Sequence, residues 1–144
     1  MKKIFSPSPL WQKEGIAIIR IVTGAFLIYH GWDSFDAKKM AEYAAWDMFK
    51  NSSSASFMVY MGKATELITG FLLAAGLLTR LTSVIVMGTF TYIAFFVGHG
   101  QIWYEDQHPF LFVLLAFVFF FSGPGKWSFD QLIFRKVTKR AHKV

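Results

Sequence analysis

Four long apolar stretches occupy most of this 144-residue chain and decide what it can fold into. They cover residues 15–32, 58–79, 81–98 and 107–122. Each stretch is continuous rather than alternating, which favours helices over strands. A helix needs about 20 apolar residues to cross a bilayer core about 30 Å thick. The pattern therefore predicts an all-α fold, an integral membrane four-helix bundle that forms a single domain over residues 1–144.

The amino-acid composition is typical of a membrane protein. Charged residues make up 17% of the chain, whereas soluble domains carry about a quarter, and the mean hydropathy is +0.40. A chain of this length cannot cover four helices that are apolar on every side, which disfavours a soluble bundle. Cysteine is absent, and this excludes disulfides, thiolate nucleophiles and iron–sulfur ligation by the chain itself.

The positions of the basic residues predict the orientation of the bundle. The net charge is +6, but lysine and arginine concentrate before the first stretch and after the fourth, which indicates topology rather than nucleic-acid binding. Arg80 lies between the second and third stretches, while Glu105 and Asp106 precede the fourth. The first loop, residues 33–57, carries both signs of charge. We expect four crossings with both termini in the cytoplasm.

The fourth stretch is the shortest, and the segment after it is strongly basic. At 1.5 Å per residue the stretch spans only about 24 Å. Trp103 and Tyr104 before it and Trp127 after it have the positions of interfacial anchors, so we expect it to cross. Ser128 and Gln131 have the spacing of a capping box. Residues 128–140 are expected to form an amphipathic helix on the anionic cytoplasmic leaflet.

Five ionisable residues lie inside the stretches, where a charge costs about 2.5–3.5 kcal/mol near mid-membrane. They are Arg20, His30, Lys63, Glu66 and His99. Counting 1.5 Å per residue places Glu66 and His30 at similar depths in the outer half of the bundle. Since Arg20 leans inward, we expect Glu66 to meet His30 rather than Arg20. Arg20 is expected to reach headgroups or to cap helix ends, and Lys63 to reach the outer headgroups.

Glycines mark the helix faces that we expect to pack together. Gly62 and Gly70 lie four residues either side of Glu66 on the second stretch, and Gly24 and Gly31 recur on the first. Small residues allow membrane helices to approach closely. Glu66 is therefore expected to face protein rather than lipid.

The polar cluster in the outer half supports three interpretations, which the residues leave open. The first is a site for a quinone or another small hydrophobic ligand, with His30 and Glu66 exchanging protons. The further ligand contacts expected at this level are His99, Tyr92, Phe95 and Trp32.

The second interpretation is a metal site, and the third is purely structural. A zinc or iron site would use His30, His99, His108 and Glu66, although no close-spaced ligand motif occurs. His30 and His99 alone would suffice to ligate a b-type haem across two helices. In the structural interpretation, His30 and Glu66 form a buried clamp that fixes helix register.

An ordered set of short motifs over roughly residues 14–134 resembles the DoxX family of small bacterial membrane proteins. The set is Ile19-Arg20-Ile21 with Gly24, His30-Gly31, Glu66-Leu67 with Gly70, Gly76-Leu77-Leu78-Thr79-Arg80, His99, and Gly123-Pro124-Gly125-Lys126-Trp127-Ser128 with Asp130. The resemblance implies a four-helix bundle of the bacterial cytoplasmic membrane. The polar positions that it carries over are Arg20, His30, Glu66, Arg80 and His99.

The resemblance also implies a link to redox chemistry. The family takes its name from similarity to a subunit of thiosulfate:quinone oxidoreductase, and some members resemble membrane partners of oxidative-stress and sulfur-handling enzymes. The leading hypothesis is a quinone- or redox-linked accessory subunit that receives electrons from a membrane or peripheral protein partner or a bound cofactor. Arg20 and Arg80 would be anchors on the cytoplasmic side. The alternative is a non-redox structural or small-solute transport component.

Overall fold

A computed structural model of the chain describes residues 9–49 and 52–133. Over these residues the secondary structure is helical, without strands. The helices are α1 (Gln12–Gly31), α2 (Ala37–Ala44), α3 (Ala55–Ala75), α4 (Thr79–Tyr92) and α5 (Gln107–Ser122). A 3₁₀ turn, Trp32–Phe35, follows α1, and a π-helical turn, Ile93–Val97, continues α4. The predicted all-α fold class is confirmed.

Three helical segments are long and apolar enough to cross a membrane: Gln12–Phe35, Ala55–Ala75 and Thr79–Val97. The shorter apolar helix α5 has 16 residues and coincides with the fourth predicted stretch. Large apolar side chains such as Phe26, Ile68 and Phe121 are more than half exposed on the outside of the bundle. Acyl chains cover such side chains, so the four longer helices form a membrane bundle.

The turn between α3 and α4 comes earlier than predicted. The second apolar stretch was expected to continue to residue 79, but α3 ends at Ala75 because Gly76 adopts a φ of +66°. The N–H of Leu77 then donates to Leu72 O at 2.9 Å, which closes the helix as a glycine-terminated helix usually does. Thr79 therefore begins the next helix.

The first loop contains a helix that the sequence analysis missed. The side chain of Asp36 accepts hydrogen bonds from the N–H groups of Lys38 and Lys39 at 3.0 and 3.2 Å, and so caps α2. Met40 on the inner face of α2 packs with Phe49 and Val59 in a small apolar cluster. These contacts hold the first loop against α3.

Glycines bring α1 and α3 into close contact. A Cβ added at Gly24 would lie 2.7 Å from the carbonyl oxygen of Gly70, and one added at Gly31 would overlap the backbone of Leu67. The expected role of these three glycines is confirmed. The same expectation is wrong for Gly62, whose Cβ would have no atom within 4 Å.

The helices α4 and α5 form the second half of the bundle. Val86 and Phe90 of α4 pack against Phe112 and Val113 of α5 in the main apolar core. Leu73 of α3 belongs to the same core and is fully buried. The core thus joins the α4 and α5 pair to the α1 and α3 pair.

Arg20 is fully buried and donates hydrogen bonds to backbone carbonyl groups from two parts of the chain. Its acceptors are Pro124 O at 2.8 Å, Leu73 O, Ala74 O at 2.9 Å, Lys126 O at 3.5 Å and Trp127 O at 3.0 Å. The guanidinium has five N–H donors, and the end of α3 carries the negative end of a helix dipole. The prediction that Arg20 caps helix ends is confirmed, and the alternative of headgroup contact is wrong.

The segment after α5 closes the same end of the bundle. The N–H of Lys126 donates to Lys13 O at 2.9 Å, and the N–H of Asp130 donates to Gly76 O at 3.0 Å. The Asp130 carboxylate accepts from the N–H groups of Leu78 and Thr79 at 2.7 and 2.9 Å. Asp130 therefore caps the start of α4. We call this closed end the arginine end, and the opposite end, with residues 32–49, 52–54 and 98–106, the loop end.

A further helix begins at residue 129 and is described as far as residue 133. The Ser128 hydroxyl oxygen accepts from the N–H of Gln131 at 3.3 Å, as the predicted capping box requires. The rest of the predicted amphipathic helix, residues 134–140, lies outside the described residues.

Replacing Arg20 tests whether its bonds hold the arginine end together. We expect Arg20→Met to lower the free energy of unfolding by more than about 3 kcal/mol, because several buried carbonyl groups lose their donor. Arg20→Lys is expected to recover only part of the loss, because an ammonium group lacks the planar fork of the guanidinium. Unfolding in mixed detergent micelles, followed by circular dichroism, measures both values.

Arg80 provides the matched control, since it is exposed in the first turn of α4. We expect Arg80→Met to change the free energy of unfolding by no more than about 0.5 kcal/mol. Similar losses for Arg20→Met and Arg80→Met would show that the buried bonds of Arg20 do not hold the fold.

Candidate functional site

A cavity of about 700 Å³ lies between α3 and α4 towards the loop end. Its wall contains some, but not all, of the residues within 57–66 of α3, 88–97 of α4 and the π-helical turn, and 43–49 of the first loop, together with His30 of α1. Ligand sites in proteins usually enclose about 300–1,000 Å³ and combine apolar walls with a few polar groups. The cavity has the size and lining of such a site.

Two glycines keep this cavity open. Gly62 of α3 and Gly88 of α4 both belong to its wall, and a Cβ added at either would meet no atom within 4 Å. The connection at residues 76–78 joins α3 to α4 at the arginine end. Further along, the missing side chains of Gly62 and Gly88 leave space between the two helices.

An ion pair forms the polar centre of the cavity. Glu66 is 5% exposed, and one of its carboxylate oxygens accepts a hydrogen bond from Lys63 Nζ at 2.9 Å. The ammonium also lies 5.0 Å from the ring centroid of Tyr43, within the range of a cation–π interaction. The prediction that Lys63 reaches the outer headgroups is therefore wrong, because its side chain is drawn to a carboxylate one turn away.

His30 shares the cavity wall with Glu66, but the carboxylate takes its hydrogen bond from Lys63 instead. The His30 ring is half-buried and packs edge-on against the rings of His108 and Phe112, at centroid distances of 5.1 and 6.4 Å. His108 is exposed. The two imidazoles thus connect the cavity wall to the surface of the loop end.

Tyr43 fastens the first loop to the end of α1. Its hydroxyl donates to one carboxylate oxygen of Asp33 at 2.8 Å, and the other oxygen pairs with Lys39. Partial burial, together with this hydrogen bond, raises the pKa of Tyr43 to about 12. The hydroxyl therefore remains a donor at neutral pH, where it keeps the loop in place over the cavity.

Sequence reasoning missed the contribution of the first loop to this site. Tyr43, Trp46 and Phe49 all belong to the cavity wall, yet they lie in the first loop, which carries both signs of charge. The signal was the helical spacing of Met40, Tyr43 and Ala44, which places apolar groups on one face.

The structure separates some of the residues that the sequence grouped as ligand contacts. Tyr92 belongs to the cavity wall. Trp32, Phe95 and His99 are exposed and do not line it. The π-helical turn accounts for two of these, because the N–H of Gly98 bonds to Ile93 O, five residues back, at 2.7 Å. The extra residue in this turn rotates Phe95 and His99 away from the face of Tyr92.

Asp106 stabilises the backbone that follows this π-helical turn. Its carboxylate is largely buried and accepts hydrogen bonds from the N–H groups of His99 and Gln101, both at 2.9 Å. A Cβ on Gly98 would overlap this carboxylate. The role of Asp106 in holding residues 98–101 was not predicted from the sequence.

The metal interpretation is not supported by the placement of its ligands. Across residues 9–49 and 52–133, no group of three or more His, Asp and Glu side chains is placed to hold a metal ion. His108 lies beside His30, but Glu66 is paired with Lys63, and His99 lies outside the cavity wall. The neighbour of His30 is therefore His108, rather than the His99 that the haem interpretation requires.

Comparisons with known proteins match most of this architecture. The family model described as DoxX matches residues 15–100, which include most of α1, all of α2, α3 and α4, and the residues of the cavity wall. An uncharacterised protein of Haemophilus influenzae is 27% identical over 128 residues, which cover 84% of this chain and 92% of that protein. No solved structure matches the chain.

A double-mutant cycle tests the ion pair at the centre of the cavity. We expect Lys63→Met to lower the free energy of unfolding by about 3–5 kcal/mol, because it leaves a buried carboxylate without its partner. The double variant Lys63→Met/Glu66→Leu removes both charges and is expected to recover most of this loss. Unfolding of the single and double variants in mixed micelles measures the coupling.

The more exposed pair between Lys126 and Glu14 is the matched control. We expect its coupling not to exceed about 1 kcal/mol, because solvent screens exposed charges. A coupling for Lys63 and Glu66 no larger than that of the control would contradict the structural role given to the buried pair.

Proposed function

The chain belongs to the DoxX family, and from this premise we propose that it is a quinone-linked accessory subunit of the membrane. The quinone headgroup would bind in the cavity around Lys63 and Glu66. One observation carries the proposal: a buried ion pair faces a cavity of about 700 Å³ whose other walls are mainly aromatic and aliphatic.

The chemistry of a quinone matches this lining. A quinone has a flat ring with two carbonyl oxygens, and its reduced form has two hydroxyl groups. The ammonium of Lys63 can donate to a carbonyl oxygen, and the carboxylate of Glu66 can accept from a hydroxyl. The rings of Tyr43, Trp46 and Phe49 supply apolar surface for the headgroup.

His30 and Glu66 are the proposed proton-exchanging pair of the site. Reduction of a quinone takes up two protons as well as two electrons, so the site needs groups that change protonation. The carboxylate of Glu66 lies in the cavity, and the imidazole of His30 lies in its wall beside the exposed ring of His108. This arrangement supports proton movement between the cavity and the loop end through His108 and His30.

The electrons would come from a partner. The chain contains no cysteine, so a thiol of its own cannot pass electrons to the quinone. We propose a membrane or peripheral redox protein that docks beside the bundle and reduces or oxidises the bound quinone. On this proposal the chain is a non-catalytic subunit that binds the quinone and exchanges protons with it.

The proposed location is the bacterial cytoplasmic membrane, with the arginine end inside. Lys13, Arg80 and Lys126 lie at the arginine end, whereas Glu105 and Asp106 lie at the loop end. Positive residues favour the cytoplasmic side of membrane helices. This orientation puts both termini in the cytoplasm and the cavity in the outer half of the membrane.

Quinone titration of the protein in lipid nanodiscs tests the proposal. Trp46 belongs to the cavity wall, so a bound quinone is expected to quench its fluorescence in a saturable way. We expect Glu66→Gln to weaken binding at least about tenfold, because a hydrogen bond to a charged group contributes about 1.5–3 kcal/mol. Glu14→Gln is the matched control outside the cavity and is expected to bind as the unaltered chain does.

Two tryptophan variants test whether the quenching comes from a quinone in the cavity. Trp46→Phe is expected to remove most of the saturable quenching, whereas Trp103→Phe, at an exposed position outside the cavity wall, is expected to retain it. Non-saturable quenching that is equal in all variants would refute quinone binding. If the unaltered chain binds no quinone and Glu66→Gln only lowers its stability, the cluster is a structural clamp instead.

A further inference from the structure

We propose that the ligand enters the cavity sideways from the bilayer core, through the gap between Gly62 and Gly88. A ligand that uses this route is expected to have a polar ring and a long apolar chain. The ring would lie at Glu66 and the chain in the gap. This inference rests on the proposed function and specifies it as the binding of an isoprenoid-tailed quinone rather than a water-soluble one.

The first loop closes the cavity on the side of the aqueous phase. Phe49 is 7% exposed and packs with Met40, which is 2% exposed, at the junction of the loop with α3. The hydrogen bond from Tyr43 to Asp33 fixes the same segment to the end of α1. A ligand from the water would have to displace this packed segment.

Beside the gap, the cavity wall on α3 and α4 includes well-exposed residues. Glu66 is 5% exposed at the inner side, whereas Met61 and Tyr92 are 52% and 41% exposed on the outer surfaces of α3 and α4. Gly88 is also exposed and lies midway along the apolar segment Thr79–Val97. Since this segment is about as long as the bilayer core is thick, Gly88 lies near the membrane centre. The cavity therefore opens to acyl chains.

The gap has the shape that a flexible chain requires. Gly62 and Gly88 stand on its two sides, and neither presents a side chain nor has a neighbouring atom within 4 Å of an added Cβ. Met58 and Met61 border the gap, and their unbranched thioether side chains adapt to irregular apolar partners. This lining of glycine and methionine fits an isoprenoid chain.

Binding of two quinones that differ only in the chain tests the inference. The first quinone has a hydrogen atom at the ring position where the second carries a two-isoprene chain. The concentrations of both are corrected for partition into the nanodisc. We expect Gly62→Leu and Gly88→Leu to weaken binding of the tailed quinone at least tenfold. Binding of the ring without a chain is expected to change less than threefold, because the ring position at Glu66 is unaltered.

Gly15→Leu is the matched control, since a Cβ at Gly15 also meets no atom within 4 Å but lies outside the cavity wall. It is expected to change neither affinity. Met61→Trp narrows the gap from an exposed position, so it provides a test even if the leucine variants do not fold. It is expected to weaken binding of the tailed quinone but not binding of the ring without a chain.

The outcomes distinguish this inference from the proposed function. Equal weakening of both quinones by the leucine variants, or no weakening of either, would overturn the lateral gap while leaving quinone binding in the cavity intact. Absence of saturable binding of either quinone to the unaltered chain would overturn the proposed function and this inference with it.

Discussion

The buried guanidinium of Arg20 is the interaction on which the arrangement of this bundle depends. A buried guanidinium is stable inside a membrane protein only when its N–H donors are satisfied. Carbonyl groups from the end of α3 and from residues 124–127 meet this need, so α1, α3 and the segment after α5 are fixed at one point. Asp130 extends the same junction to the start of α4.

The contacts at the arginine end hold the helices together there, and the cavity lies towards the loop end. The close glycine contacts join α1 to α3, and the aromatic core joins α4 to α5. Between these pairs, Gly62 and Gly88 provide space instead of contact. The ammonium of Lys63 and the carboxylate of Glu66 form an ion pair that faces this space. This pair supplies a hydrogen-bond donor and an acceptor in a mainly apolar cavity.

Much of this architecture could be predicted from the sequence, because lipid imposes simple rules on apolar length and small residues. Those rules predicted the boundaries of α5 and the contacts of Gly24, Gly31 and Gly70. The position of Lys63 was wrong because its long side chain was expected to reach the outer headgroups, although its spacing of three from Glu66 already indicated a pair on one helical face. Phe95 and His99 were misplaced because a π-helical turn has no clear mark in a single sequence.

The proposed occupant of the cavity between α3 and α4 is a lipid-soluble quinone, and photolabelling tests this occupancy most directly. The chain in a bilayer would be irradiated with a quinone that carries an azide on its ring, and the labelled peptides would be identified by mass spectrometry. We expect labels within residues 43–49, 57–66 and 88–97, and we expect an excess of unlabelled quinone to remove them. Labels spread over exposed faces such as that of α5, unchanged by the excess, would contradict the proposed occupancy.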